Sequence, residues 1–198
     1  MRGVGLPRRR PPLRSLRGKS SALAFGAALS LAAGPAAAVD RIFVDAGAGN
    51  HVAVLGVSIA SPDWSRSAVA DDWRLGLYGK AGVALWEAID WDAQDRSILA
   101  FSAYPVLRLE RIAGSALLAY FEASLGINLL THTQINDGRK FSTAFQFGEF
   151  VGAGVTFGDR QQYEVGLRAQ HVSNADIKKP NAGLSWGGVV FGYRFAAP

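Results

Sequence analysis

His171 and Ser173 are of residue types that together can open an ester. A serine hydroxyl alone is a poor nucleophile, and a neighbouring imidazole that takes its proton activates it. In a β-strand, residues i and i+2 project from the same face, so this spacing sets imidazole and hydroxyl side by side. Such a pair also needs a group to orient the imidazole and donors to hold an oxyanion. Taken alone, His-x-Ser is equally well a polar finish to a strand at a water boundary, and the two readings stand together at this point. The other two histidines, His51 and His132, read as solvated positions between strands and in a long polar loop. The three are far apart in sequence with no carboxylate at ligand spacing, so neither a metal site nor any cofactor is expected. With no cysteine, the chain has no thiol nucleophile, zinc-thiolate site or disulfide.

The elements that must position this pair read as strands. Segments of roughly 8–14 residues rich in Val, Phe, Leu, Tyr and Gly alternate with turn-forming clusters. The expected strands are 41–48, 53–63, 75–88, 97–109, 116–127, 144–157, 163–173 and 183–195. Eight is an even number, as single-chain bacterial outer-membrane barrels require. Connections differ in length: 158–160 is short, whereas 128–143 and 174–182 are long, matching short periplasmic turns and longer external loops. In 144–157, Phe145, Phe147, Val151, Ala153, Val155 and Phe157 share one face. Gln146, Gly148, Gly152, Gly154 and Thr156 share the other, with Phe150 as the exception. The next strand opposes Tyr163, Val165 and Leu167 to Glu164, Gly166 and Arg168, and the last opposes Val189, Phe191 and Tyr193 to Gly188, Gly192 and Arg194. Bulky apolar side chains opposite Gly, Gln, Glu and Arg fit lipid outside and a small polar interior; a soluble barrel reverses this. The fold class is therefore an all-β, eight-stranded antiparallel transmembrane β-barrel. The five tryptophans, mostly near expected strand ends, fit an interfacial aromatic belt, and Val189–Phe195 reads as the closing strand.

Residues 1–38 contain seven of the 21 basic residues and no acidic one, which leaves 14 basic against 16 acidic in the remainder. The basicity is thus confined to a leader, and no nucleic-acid partner is implied. A positive start, an apolar stretch from Ser21 to Ala33, the Gly34-Pro35 break and Ala36-Ala37-Ala38 have the layout of a removable secretory signal. The apolar run is too short to span a bilayer as a helix. Gly18-Lys19-Ser20 lacks the upstream glycine of a phosphate loop and falls in the leader. Residues 39–198 then form one exported barrel domain.

The chain resembles the outer-membrane lipid A 3-O-deacylase family. The likeness lies in His171-Val172-Ser173-Asn174-Ala175 with Pro180-Asn181-Ala182-Gly183, and in Gln146-Phe147-Gly148-Glu149 leading to Gly152-Ala153-Gly154. Pro105-Val106-Leu107-Arg108 and the Glu122–Gly126 strand add looser similarity. The resemblance implies a barrel that hydrolyses the ester-linked acyl chain at the 3-position of lipid A, from its outer surface, in the outer leaflet of the outer membrane. Ser173 would be the nucleophile and His171 the general base. Asn181 would be an oxyanion donor, with Asn174 in a positioning role and a backbone N–H near Ala175 assisting.

One position departs from the family pattern. A glutamate is usual two residues after the glycine matching Gly183, and here Ser185 stands there. If 158–162 is a tight turn, pairing 157 with 163 implies pairing 149 with 171. Glu149, the single charge in its strand's outward row, would then lie beside His171 and act as the third catalytic group. A one-residue bulge would turn it away, and Asp176 is a further acid within reach in sequence. The rival readings are a non-catalytic barrel with a structural or surface-interaction role, and a soluble lipid-carrying barrel. Oligomeric state has no signal in the sequence.

Overall fold

The computed structural model describes residues 39–89 and 97–195. The expected leader, Trp91 and the last three residues lie outside them. The described residues form nine strands: β1 Arg41–Gly49, β2 Val52–Ala60, β3 Ser65–Ala70, β4 Trp73–Ala88, β5 Ile98–Arg111, β6 Leu118–Leu130, β7 Phe145–Phe157, β8 Tyr163–Ser173 and β9 Leu184–Arg194. Every pairing is antiparallel. β1 pairs with both β2 and β9, while β2 pairs with β4, so β1, β2 and β4 to β9 close an eight-stranded barrel. Closure leaves no open edge, and every wall strand has a partner on each side.

β3 is an addition that sequence reasoning missed. It is exposed throughout and pairs only with the lower end of β4, forming a short hairpin below the wall. Ser65-Arg66-Ser67 carries none of the apolar alternation that marked the other strands. The expected strand 53–63 stops at Ala60, because Pro62 cannot donate to a ladder.

Both chain termini of the barrel lie at the end that carries connections 61–64, 112–117 and 158–162. The opposite end, called here the loop end, carries 131–144 and 174–183. Its first connection is an exception in length. Asn50-His51 is a two-residue turn with both φ angles positive (51° and 63°), as the type I′ hairpin requires.

Side chains sort by the two-residue period. Leu55, Phe101, Leu125, Val151, Leu167 and Phe191 all point outward and are more than half exposed. A wall of this kind is unstable against water and suited to hydrocarbon, so the soluble-barrel alternative fails. Inside, charges are held in ion pairs. Arg108 bridges Glu110, Glu122 and Glu164 at 2.7–2.9 Å, Arg168 holds Asp45 at 2.6 Å, and Arg194 reaches Glu110 at 3.5 Å. Phe150, the apolar exception of β7, lies inside under the Arg168 guanidinium (4.2 Å) and edge-on to Tyr104.

The interior is less uniformly polar than the alternation suggested. At the loop end Val52, Ile98, Leu130, Val172, Trp86 and Trp186 form an apolar plug, completed by Ile135 and Phe141 of the 131–144 connection. Two tryptophans expected in the interfacial belt are therefore core residues. The belt near the terminal end is built instead by Phe157, Tyr163, Tyr193 and Phe195, neighbouring rings lying 5.4–5.6 Å apart, with Trp73 stacked on Phe121. Position along the strand singled out the tryptophans, but the facing of each side chain decides whether it meets lipid or lumen.

Candidate active site

β8 carries His171 and Ser173. Glu164, Arg168 and Val172 point inward and are buried, and the alternate row through Leu167 and Ala169 ends with His171 and Ser173 on the outer surface. Both lie at the loop end. β7 and β9 flank this strand. The turn at 158–162 keeps the register that pairs Phe157 with Tyr163, and Glu149 therefore stands opposite His171 and Phe147 opposite Ser173. From the other side β9 sets Ser185 opposite His171. One outward row thus reads Ser185, His171, Glu149 and Leu125 across four adjacent strands.

The imidazole turns toward β9. Its Nδ1 lies 2.7 Å from Ser185 Oγ. Gly183 adopts φ +58°, and a Cβ placed there would come within 3.0 Å of the ring's Cε1 and 3.4 Å of Nε2. A side chain at 183 would be strained in backbone and would press on the imidazole edge. Nε2 is the ring nitrogen that Ser185 leaves unengaged. Sequence reasoning noted Ser185 as a missing acid and did not give it a contact. The signal that finds it is the cross-strand register, once the 174–183 loop length is known.

Asn174 and Asn181 are joined to each other across the 174–183 connection. Asn174 is buried, and its Nδ2 lies within 3.4 Å of four oxygens: the Phe141 and Lys178 carbonyls and the Ser142 and Thr143 hydroxyls. It ties the 131–144 and 174–183 connections together through Nδ2, while its Oδ1 is buried without a hydrogen-bond partner. Asn181 accepts the Asn174 N–H at its Oδ1 (3.1 Å) and donates through Nδ2 to exposed Asp176 at 3.2 Å. Ala175 and Asp176 both take positive φ (52° and 60°) and reverse the chain directly after the Ser173-Asn174 pair. Asp176 spends its carboxylate on Asn181. His51 sits in the β1–β2 turn and His132 in the connection after β6, and among the described residues no group of His, Asp and Glu could hold a metal.

A shallow cleft of about 900 Å³ opens beside this row on the barrel's outer wall. Glu149, His171 and Ser185 line one end, and Leu125, Pro105 and Leu107 the other. The row below is composed mainly of small or slender groups: Gly187, Ala169, Val151, Ala123 and Leu107 are successive cross-strand partners. Pro105 has no N–H to give β6, and the β5–β6 ladder lapses between Ala103 and Val106. Small side chains and this interruption hollow a surface that a barrel would otherwise make convex. The cleft is mainly apolar, with its polar groups at the imidazole end and at Ser124 beside Pro105.

A family model described as lipid A 3-O-deacylase (PagL) matches residues 51–194, which include every wall strand except β1. The chain belongs to the lipid A 3-O-deacylase family. It is similar to the lipid A deacylase PagL of Pseudomonas aeruginosa, with 34% identity over 62% of this chain and 67% of that protein. It is similar also to the lipid A deacylase PagL of Bordetella bronchiseptica, with 31% identity over 75% of this chain and 80% of that one. Among solved structures, the crystal structure of the outer membrane enzyme PagL superposes with a TM-score of 0.68 at 25% identity, covering 78% of this chain and 99% of that one. Family membership covers the segments that supply the row of Ser185, His171 and Glu149.

Proposed function

We propose that this protein removes the acyl chain ester-linked at the 3-position of lipid A, working from its outer wall within the outer leaflet of the outer membrane. The observation that carries this reading is the placement of His171 and Ser173 in the lipid-facing row at the loop end, with His171 lining an apolar cleft. Polar groups in such a row cost free energy unless they serve a purpose or meet headgroups. Membership of the family and the two named relatives support the substrate.

In the reaction His171 takes the Ser173 proton as Oγ attacks the ester carbonyl. The tetrahedral intermediate collapses with proton transfer from the imidazolium to the departing sugar oxygen. Water, activated by the same imidazole, then hydrolyses the acyl-Ser173 ester and releases a 3-hydroxy fatty acid. Glu149, on the imidazole's β7 flank, stabilises the imidazolium by its charge. Asn181 turns its amide from Asp176 to the oxyanion, helped by a backbone N–H near Ala175, while Asn174 holds the loop that presents them. The cleft floor of Ala169, Val151 and Ala123 seats the acyl chain. Residues 1–38 direct export and are removed.

The test is the mass of the lipid product. Detergent-folded protein incubated with lipopolysaccharide releases one 3-hydroxy fatty acid, and the remaining lipid A lacks the 3-position chain. Intact lipid A after prolonged incubation with folded barrel returns the protein to the non-catalytic alternative.

A further inference from the structure

We infer that the work a single acid does in a Ser/His/acid triad is divided here between two flanking strands: Ser185 is the positioning residue that aims the imidazole, and Glu149 contributes the negative charge. The inference rests on the proposed acyl-transfer reading of the site. Its geometric basis is the 2.7 Å contact between Ser185 Oγ and His171 Nδ1. Ser185 is itself held in place, since its backbone N–H donates to Asn50 Oδ1 at 2.7 Å, and Asn50 belongs to the rigid two-residue turn between β1 and β2. The ring is therefore seated between an anchored hydroxyl and the bare backbone of Gly183, both on the β9 side.

A hydroxyl and a carboxylate differ in what they ask of the ring. A carboxylate only accepts, so it selects the tautomer with the proton on Nδ1 and leaves Nε2 free to take the serine proton. A hydroxyl both donates and accepts, so it holds the ring's position without selecting its tautomer or adding charge. Something else must favour the imidazolium. Glu149 is the carboxylate that the register sets directly across from His171, and it lines the same cleft. Ser185 and Glu149 are the residues that flank the histidine in its row, one on each side.

The division is tested by exchanging the groups at position 185 and measuring kcat and KM per folded molecule, with folded barrel scored by its heat-modifiable migration. Ser185→Ala and Ser185→Val are expected to lower kcat about tenfold, the value of one orienting hydrogen bond, with KM within about twofold of the parent. Ser185→Thr, which keeps the hydroxyl on a strand-compatible side chain, is expected to restore most of the rate. Ser185→Glu is expected to match or exceed the parent and to make Glu149→Gln harmless, because one carboxylate then supplies both orientation and charge. Unchanged kcat in the Ala and Val variants overturns the positioning role, as does a Thr variant no better than Val. A Ser185→Glu protein that stays sensitive to Glu149→Gln overturns the division of labour. An inactive parent, or an active Ser173→Ala, would instead sink the acyl-transfer reading on which this rests.

Discussion

The lumen and the outer wall both place polar side chains in surroundings that cannot solvate them, and they resolve the conflict in opposite ways. Inside the barrel, Arg108, Arg168 and Arg194 each lie within 4.0 Å of a carboxylate, and Tyr78 adds its hydroxyl to Glu122 at 2.5 Å. On the outer wall, Ser185, His171 and Glu149 form a row with one hydrogen bond among them and an open cleft beside it. Charge pairing commits much of the lumen's hydrogen-bonding capacity and stiffens it, although Arg108 Nη2, Arg168 Nε and Glu164 Oε1 are buried without a hydrogen-bond partner. A site that must accept a substrate keeps some of that capacity uncommitted. The ionic lumen holds the shape of the wall, and the wall holds three strands in a register that sets Ser185, His171 and Glu149 abreast.

Breaking each region separates the two roles. The largest effect is expected at Ser173, the proposed nucleophile. Ser173→Ala should slow release of the 3-position acyl chain by at least about 10⁴-fold, near 5.5 kcal/mol at 1.36 kcal/mol per factor of ten. Its urea unfolding midpoint should stay at the parent value, and a residual rate above a tenth of the parent would remove Ser173 from the reaction. Next in size is the lumen. Arg108→Ala removes the guanidinium that bridges Glu122 and Glu164, and removal of one partner from a buried ionic cluster costs about 3–5 kcal/mol. Equilibrium unfolding from detergent micelles reads this loss, while activity per folded molecule should persist. Unchanged stability would mean that the lumen network does not brace the barrel.

Smaller effects sharpen the outer-wall picture. Glu149→Gln should reduce kcat about tenfold, some 1.4 kcal/mol, without moving the unfolding midpoint. Full activity in that variant removes Glu149 from the site. Ala123→Phe fills the row below the imidazole, and is expected to raise KM severalfold for long acyl chains and less for short ones, as judged by competition between lipid A species. Equal effects on both chain lengths would show that the acyl chain lies elsewhere.

Much of this arrangement was open to inspection in the residues alone. Period-two alternation in 144–157, 163–173 and 183–195 told lipid face from lumen face, since a side chain's facing in a strand depends on nothing beyond its parity. The same parity brought His171 and Ser173 to one surface, and the short 158–162 turn carried the register that sets Glu149 against His171. Those inferences concern neighbours along one strand or across one tight turn, where local geometry suffices. Alternation could not show that Trp86 and Trp186 fill a plug, because a large inward side chain is explained only by what lies across the lumen.

Nor could linear order show what Ser185 or Asn174 touches. Each depends on where a ten-residue loop returns the chain and on a second loop, 131–144, that packs against it. Many loop paths satisfy the same residues, and only closure of the barrel, with β9 paired to β8 on one edge and β1 on the other, selects the one that lays a hydroxyl on the imidazole.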